Sequence, residues 1–253
     1  MVQANRERRQ EAERLREFLE VQLIFADIYA ERASITLSEA CLRYTNLHWR
    51  LGLGPANGGE TSAEWRRYAD ELERRVTIAD RLDWTVAFFT DTNPVQSDEL
   101  RFGCFRFDAP KDDGVLRIHF GNRDTADDSG PLARTKVERR ISELRSMFEF
   151  IRAHHPGTKA VRGSSWLYNI EAYRRLFPPE YAASTFELES VRLNGTSSWG
   201  QVVDFGGHVK PHIRRPLLDN IRRVDVAAPW KAFPLRARGA ESAIEHFYRF
   251  YGC

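Results

Sequence analysis

Apolar residues return every three or four positions near the start of the chain: Leu15, Phe18, Leu19, Leu23, Phe25, Ala26 and Tyr29, with Arg and Glu between them. That spacing predicts one long helix over residues 5–32. Thr36 and Glu39 stand three apart, the spacing of a capping box, and predict a second helix reaching about Leu51. After the breaker LGLGPANGGE the same spacing recurs at Thr61 and Glu64, predicting a third helix through about Arg81. Three amphipathic helices in succession predict a helical N-terminal unit. Trp84–Phe89 is an apolar run too short to assign by period, and strand is the favoured reading. The stretch DTNPVQSD, residues 91–98, has turn composition and is the predicted boundary. Residues 1–95 are then a helical domain and 96–253 a second domain.

The period changes after residue 100. Residues 101–107 and 115–120 alternate, the second with Leu116, Ile118 and Phe120 on one face, and APKDDG between them reads as a hairpin loop. Val137, Ile141, Leu144, Phe148 and Ile151 are the stripe of a helix over 132–154, with Ser129 as cap and Pro131 as its first residue. A strand over 159–167 and a short helix over 170–177, stopped by Pro178 and Pro179, come next. Residues 184–193 and 197–205 read as a hairpin turning at Asn194-Gly195, with Gly206-Gly207 a second turn. A helix over 213–223, an edge strand over 233–238 and a closing helix over 241–250 complete the order. The fold class is α/β (α+β), a mixed central sheet with flanking helices.

Composition narrows the function classes. The chain has 253 residues, 42% of them hydrophobic and 29% charged, with a formal charge of +2, so bulk charge does not make it a polyanion binder. Cys41, Cys104 and Cys253 are odd in number and far apart, which speaks against a disulfide scaffold and for a reducing compartment. The N-terminal stretch has no apolar signal region, and no run approaches the roughly 18 apolar residues of a membrane span. The expectation is a cytoplasmic protein with no membrane partner.

Candidate chemistry concentrates in KAVRGSSWLYNIEAYRRL, residues 159–176. A strand ending there would present Arg162, Ser164, Ser165, Trp166 and Asn169 at its carboxyl end, where ligands bind in α/β folds. Alternatively Ser165 and Asn169 cap the next helix while Trp166, Leu167 and Tyr173 pack in the core. No G-x-S-x-G turn makes either serine a nucleophile. His119 lies opposite Leu116, Ile118 and Phe120 on its strand and is a candidate general base. His154 and His155 close a helix, where positive character suits the dipole. His208 and His212 flank Pro211 without an acidic or cysteine partner pattern, so no metal is expected. Residues 210–238 hold eight basic residues against Asp219 and Asp225; a solvated helix face is the common meaning, and no nucleic-acid signature accompanies it. LGLGPANGGETS contains a G-x-G, but it follows a helix and lacks the lysine of a phosphate loop.

The order strand 115–120, helix 132–154, strand 159–167, short helix 170–177, strand 184–193 resembles the GNAT superfamily of acyl-CoA-dependent N-acyltransferases, over about residues 100–205. Ser165-Trp166-Leu167-Tyr168 is similar to the SWLL-type strand end of two-domain acyltransferase-like proteins with a helical N-terminal domain. Asn169 to Phe177 resembles the family's asparagine-to-tyrosine segment, and this resemblance implies that Tyr173 protonates a leaving thiolate. The implied activity is transfer of an acyl group from acyl-CoA, as co-substrate, to an unidentified small-molecule or peptide amine. Tyr173 and His119 are then the catalytic candidates; Arg162, Ser164, Ser165, Trp166, Asn169, Asn122 and Arg123 are the binding candidates. The family presents backbone N–H groups to pyrophosphate from a Gln/Arg-x-x-Gly-x-Gly/Ala loop. Here the loop is GNRDTADDSGPL, with Gly121 and Gly130 at a different spacing and Asp124, Asp127 and Asp128 repelling phosphate. The alternative is therefore a non-catalytic binding or interaction protein on an acyltransferase-like scaffold, one that pairs with another chain through its N-terminal helices.

Overall fold

The computed structural model describes residues 2–54, 62–92, 99–124, 127 and 129–253, with side chains from Arg6 onward. The helical elements before the sheet are α1 (Val2–Ala33), α2 (Leu37–Tyr44), α3 (Leu47–Arg50), α4 (Ala63–Glu73) and α5 (Ile78–Asp91). Then come β1 (Phe105–Asp108), β2 (Val115–Phe120), α6 (Val137–His154), β3 (Ala160–Ser165), α7 (Glu171–Arg174), α8 (Pro179–Ala183) and β4 (Phe186–Glu187). Last are α9 (Thr196–Trp199), α10 (Pro211–Ile221), β5 (Arg238–Ala243) and α11 (Ile244–Tyr251). The chain divides into two compact units: Met1–Gln96 with Ser190–Arg236, and Ser97–Glu189 with Ala237–Cys253. Residues 190–236 thus belong with the N-terminal helices, which corrects the sequential division at residue 95.

In the first unit the α1 stripe is buried from Leu15 to Tyr29. The predicted second helix breaks in two. Thr45 turns extended, its Oγ1 donates to the Cys41 carbonyl at 2.6 Å and accepts the Leu47 N–H at 3.2 Å, so its own side chain competes for helical hydrogen bonds. Thr36 caps α2 by accepting the Glu39 N–H. Ser62 rather than Thr61 caps α4, accepting the Trp65 N–H at 3.1 Å; Thr61 lies outside the described residues, as do residues 93–98 of the predicted boundary. Thr77 caps α5, and Trp84–Phe89 is helical, not a strand. Leu82, Thr85, Phe88 and Phe89 are the buried residues of α5, a three- to four-residue period that the run 84–89 is too short to display.

The predicted hairpin over 184–205 does not form. Only Phe186 and Glu187 pair as strand, and Thr196–Trp199 is a helical turn that buries Trp199 completely. Its indole lies edge-on to Phe25 at 5.1 Å and to Phe233 at 4.9 Å, and its Nε1 donates to the Tyr44 carbonyl at 3.3 Å. The burial of one large aromatic among helices outweighs the hairpin preference of Asn194-Gly195. The Gly206-Gly207 turn is realised, with Val203 bridging Val209 and Gly207 at φ 89°.

The second unit is built on a five-stranded mixed sheet of order β1-β2-β3-β5-β4. β2 and β3 are parallel, joined by a crossover through α6, and every other neighbouring pair is antiparallel. Leu116, Ile118, Val161 and Ala240 bury one face with Leu144, Phe148 and Ile151 of α6 and Phe247 and Tyr251 of α11. The last strand starts at Arg238, later than predicted, and lies between β3 and β4 rather than at the edge. Helix α6 starts at Val137, after a 3₁₀ turn at Arg134–Lys136, and Ser129 does not cap it. β3 ends at Ser165 and Trp166–Asn169 is a 3₁₀ turn, so Trp166 and Leu167 do not alternate across a strand. Gly163, in mid-strand, lies under the Tyr168 and Tyr181 hydroxyls, and a methyl group there would overlap both. Gly163→Ala should therefore cost about 1–3 kcal/mol by overpacking. Equilibrium urea unfolding checks this, and an unchanged midpoint would contradict the packing.

Candidate functional site

Two features of the second unit carry chemistry, and both lie around the junction of β2, β3 and α6. The first is a parting of the parallel strands. Pairing of β2 with β3 covers Val115–Arg117 against Ala160–Arg162, yet β2 runs on to Phe120 and β3 to Ser165. Their carboxyl ends therefore diverge, and the gap faces the position where ligands enter sheets of this kind. Arg117, His119, Arg162 and Ser164 share the face opposite the buried Leu116, Ile118 and Val161, because successive strand residues alternate. On that face His119 Nε2 lies 2.8 Å from Asp108 Oδ2, and Arg106 donates to Asp108 Oδ1 at 3.0 Å. The bond from His119, ahead of the contact with Arg106, holds the Asp108 carboxyl below the usual carboxylate range. His119 keeps 37% of its side chain exposed, so an oriented imidazole meets solvent. Arg162 pairs with Glu241 across β3 and β5.

The second feature is a cluster of charges where the chain enters α6. The Asp124 side chain is 1% exposed and is surrounded by cations. Arg140 donates to its Oδ2 at 2.8 Å, Arg139 lies 3.3 Å from the same oxygen, and Lys136 Nζ lies 3.3 Å from Oδ1. Lys136 also reaches Asp127 at 2.8 Å and the Ser129 carbonyl at 3.1 Å. Arg140, itself 1% exposed, continues to Glu143 at 2.9 Å and to the Cys104 sulfur. Glu143 accepts the Cys104 N–H at 3.0 Å. Its carboxyl occupies the space a side chain at residue 103 would need, and Gly103 has φ 59°, so only glycine fits there.

Burial alone would raise the Asp124 carboxyl, but the hydrogen bond from Lys136 and the two guanidinium groups outweigh it and hold it below the ordinary value. Asp127 is lowered, first by Lys136 and then by Ser129, and Lys136 is raised by Asp127. A lowered folded-state carboxylate pKa gives stability that is full above the unfolded value and is lost as pH falls through the folded one. Acid unfolding of the protein should therefore steepen below about pH 4, near the unfolded carboxylate value. Asp124→Asn should flatten that limb, read as melting temperature against pH. Parallel curves for the two proteins would contradict it. The Lys136 contribution has the opposite sign: it is full below about pH 10.4 and fades as pH rises beyond that.

The candidate residues divide. His119, Arg162 and Ser164 come together on the open face. Ser165 accepts the Leu167 N–H at 3.1 Å and Asn169 donates to the Trp166 carbonyl at 2.7 Å, so both shape the 3₁₀ turn; Trp166 is half-buried. Asn122 and Arg123 are exposed in the loop before Asp124. Tyr173 is 2% exposed, 5.6 Å from the Phe120 ring and 5.3 Å from that of Tyr168, and burial pushes its hydroxyl well above its ordinary pKa. That hydroxyl is sealed in the core and has no path to a thiolate. Tyr173→Phe should cost about 0.5–1.5 kcal/mol, one net hydrogen bond, in a chemical denaturation curve. A much larger loss would mean that the hydroxyl organises more than its neighbour Tyr168. Sequence reading missed Asp108 and Glu241 as partners and treated Asp124 only as repelling phosphate. The strand alternation that placed His119 would also have placed Asp108 beside it, given the hairpin register.

Among the described residues no group of three or more His, Cys, Asp or Glu is placed to hold a metal ion, and no helix is long and apolar enough to cross a membrane. The three cysteines are free. No family profile, curated protein or solved structure matches the chain.

Proposed function

We propose that this chain is a non-catalytic binding protein on an acyltransferase-like scaffold, whose ligand seat is the gap between the parting ends of β2 and β3. The observation that carries this reading is Asp124. The start of α6 is where a pyrophosphate would need backbone N–H groups and cations. There the chain supplies its own carboxylate, and Lys136, Arg139 and Arg140 are committed to it. A nucleotide pyrophosphate would have to displace a buried carboxylate that three cations already hold. The buried Tyr173 hydroxyl supports the same reading, because it removes the acid that acyl transfer would use.

A second reading keeps the enzyme: acyl transfer from acyl-CoA to an amine, with His119, oriented by Asp108, as the base that takes the amine proton. The exposed His–Asp pair beside the strand gap favours it. Thermal-shift titration with acetyl-CoA, longer acyl-CoAs and free CoA separates the two, since a specific ligand must stabilise the native state. No shift with any of them is expected. A saturable shift that His119→Ala leaves intact, joined to acyl transfer that the same change abolishes, would establish the enzyme instead.

A further inference from the structure

The register of the sheet lays out its open face in rows. Across one row stand Asp108 of β1, Arg117 of β2, Arg162 of β3 and Glu241 of β5. Asp108 is taken by Arg106 and His119, and Arg162 by Glu241. Arg117 is exposed and makes no ion pair among the described residues. In the next row His119 faces Arg106, Ser164 faces Gly239, and Gly239 faces Phe186 of β4. Between His119 and Ser164 lies the gap, because pairing of β2 with β3 stops at Arg117 and Arg162. Phe186 lays its ring on Gly239, with the ring tip 2.5 Å from where a Cβ would stand. A glycine within a strand permits such a close approach. Phe186 is 43% exposed, the His119 side chain 37%, and Ser164 is exposed as well.

The second row is therefore a trough. Its floor is the small Ser164, its sides are the His119 imidazole and the Phe186 phenyl ring, and Arg117 stands one row away. Neighbouring strands lie about 4.8 Å apart. His119 on β2 and the Phe186 ring on Gly239 of β5 are thus two spacings, about 10 Å, apart, and farther where β2 leaves β3. A ring stacked between two others places its centroid about 4.5–7 Å from each, so the trough admits one flat ring. Residues two apart on a strand are separated by about 6.6 Å, so a short substituent on that ring reaches Arg117. We infer that the seat between β2 and β3 takes a small planar aromatic anion, its ring on Ser164 between His119 and Phe186 and its carboxylate or phosphate on Arg117. The inference rests on the reading of this gap as the ligand seat and adds the chemistry of the ligand. A guanidinium meets either anion in two parallel hydrogen bonds. The other charges of the Arg117 row already hold one another, which leaves Arg117 to answer the anion. These side chains face solvent, so the ligand reaches them without opening the core.

The test is isothermal titration calorimetry of the full chain at constant ionic strength. Naphthoate and AMP carry both a flat ring and an anion, cyclohexanecarboxylate and inorganic phosphate the anion alone, and adenosine the ring alone. Naphthoate or AMP should bind, and which of them does so tells a carboxylate ligand from a phosphate one. The three controls should bind at least about tenfold more weakly, since each lacks one contact. Phe186→Leu should weaken binding about tenfold by removing the stacked ring. Arg117→Met should weaken it about tenfold to a hundredfold, as losing a hydrogen bond to a charged group does, and Arg117→Lys should lose less. Both side chains are exposed, so the unliganded variants should melt with the wild type; one that melts lower is titrated at a temperature where it is folded. The inference is overturned if neither aromatic anion binds, if phosphate or cyclohexanecarboxylate binds as tightly as its aromatic counterpart, or if Phe186→Leu or Arg117→Met binds like the wild type. Those results leave the gap as a seat for another ligand. Acyl transfer from acetyl-CoA, assayed separately, would instead overturn the seat reading itself.

Discussion

Trp199→Ala should destabilise the protein by about 3–5 kcal/mol, the range for deleting a fully buried large aromatic. Trp199 is 0% exposed and closes the aromatic cluster of Phe18, Phe25 and Phe233. It also answers the Tyr44 carbonyl, which has no helical partner at the end of α2. The measurement is guanidinium unfolding followed by circular dichroism, with hydrogen exchange locating the loss. Amides of α1, α2 and residues 190–236 should lose protection together. Val76→Ala, at a site 85% exposed, should stay within about 0.5 kcal/mol. A cost for Trp199→Ala below about 1 kcal/mol, or lost protection confined to residues 99–189, would remove residues 190–236 from the helical unit.

Arg140→Met should be as costly, about 3–5 kcal/mol, because it strands buried carboxylates. Arg140 reaches Asp124 at 2.8 Å and Glu143 at 2.9 Å, and also meets the Cys104 sulfur. Met fills most of the same volume, so the loss reports charge rather than a cavity. Arg139, 60% exposed and 3.3 Å from the same Asp124 oxygen, is the internal comparison. Its replacement by Met should cost less than about 1 kcal/mol, as exposed ion pairs do. Equal losses for the two variants would mean that the cluster is solvated, and the case that Asp124 fills the anion position would fall. A small loss for Arg140→Met together with a new response to phosphate would mean the same.

The legible parts of this chain were those governed by short spacings. The α1 stripe, the Thr36 cap, the alternation of β2 and the α6 stripe each repeat a local period, and each formed within a few residues of its predicted place. His119 was legible as an exposed strand residue for the same reason. Asp124 was visible only as a negative charge in a polar loop. Its burial depends on Lys136, Arg139 and Arg140, which project from one end of α6 only after the 3₁₀ turn has set their direction. Tyr173 became a catalytic candidate only through the resemblance of residues 169–177 to the family's asparagine-to-tyrosine segment. Whether such a ring faces a cleft or a core depends on Phe120 and Tyr168, which come from a distant strand and from the preceding turn.

The sequence by itself determined the two classes of structure and their order, helices first and a mixed α/β sheet after, since amphipathic period and turn chemistry act over a few residues. It also determined which strand face is polar. Tertiary structure alone decided that residues 190–236 return to the N-terminal helices. The burial of Trp199 decided that, and it outweighs the local hairpin preference of Asn194-Gly195. Tertiary structure alone also decided which charges are answered. Asp124 gains its cations from Lys136, Arg139 and Arg140, and such a balance follows from contacts beyond the few residues over which local patterns act.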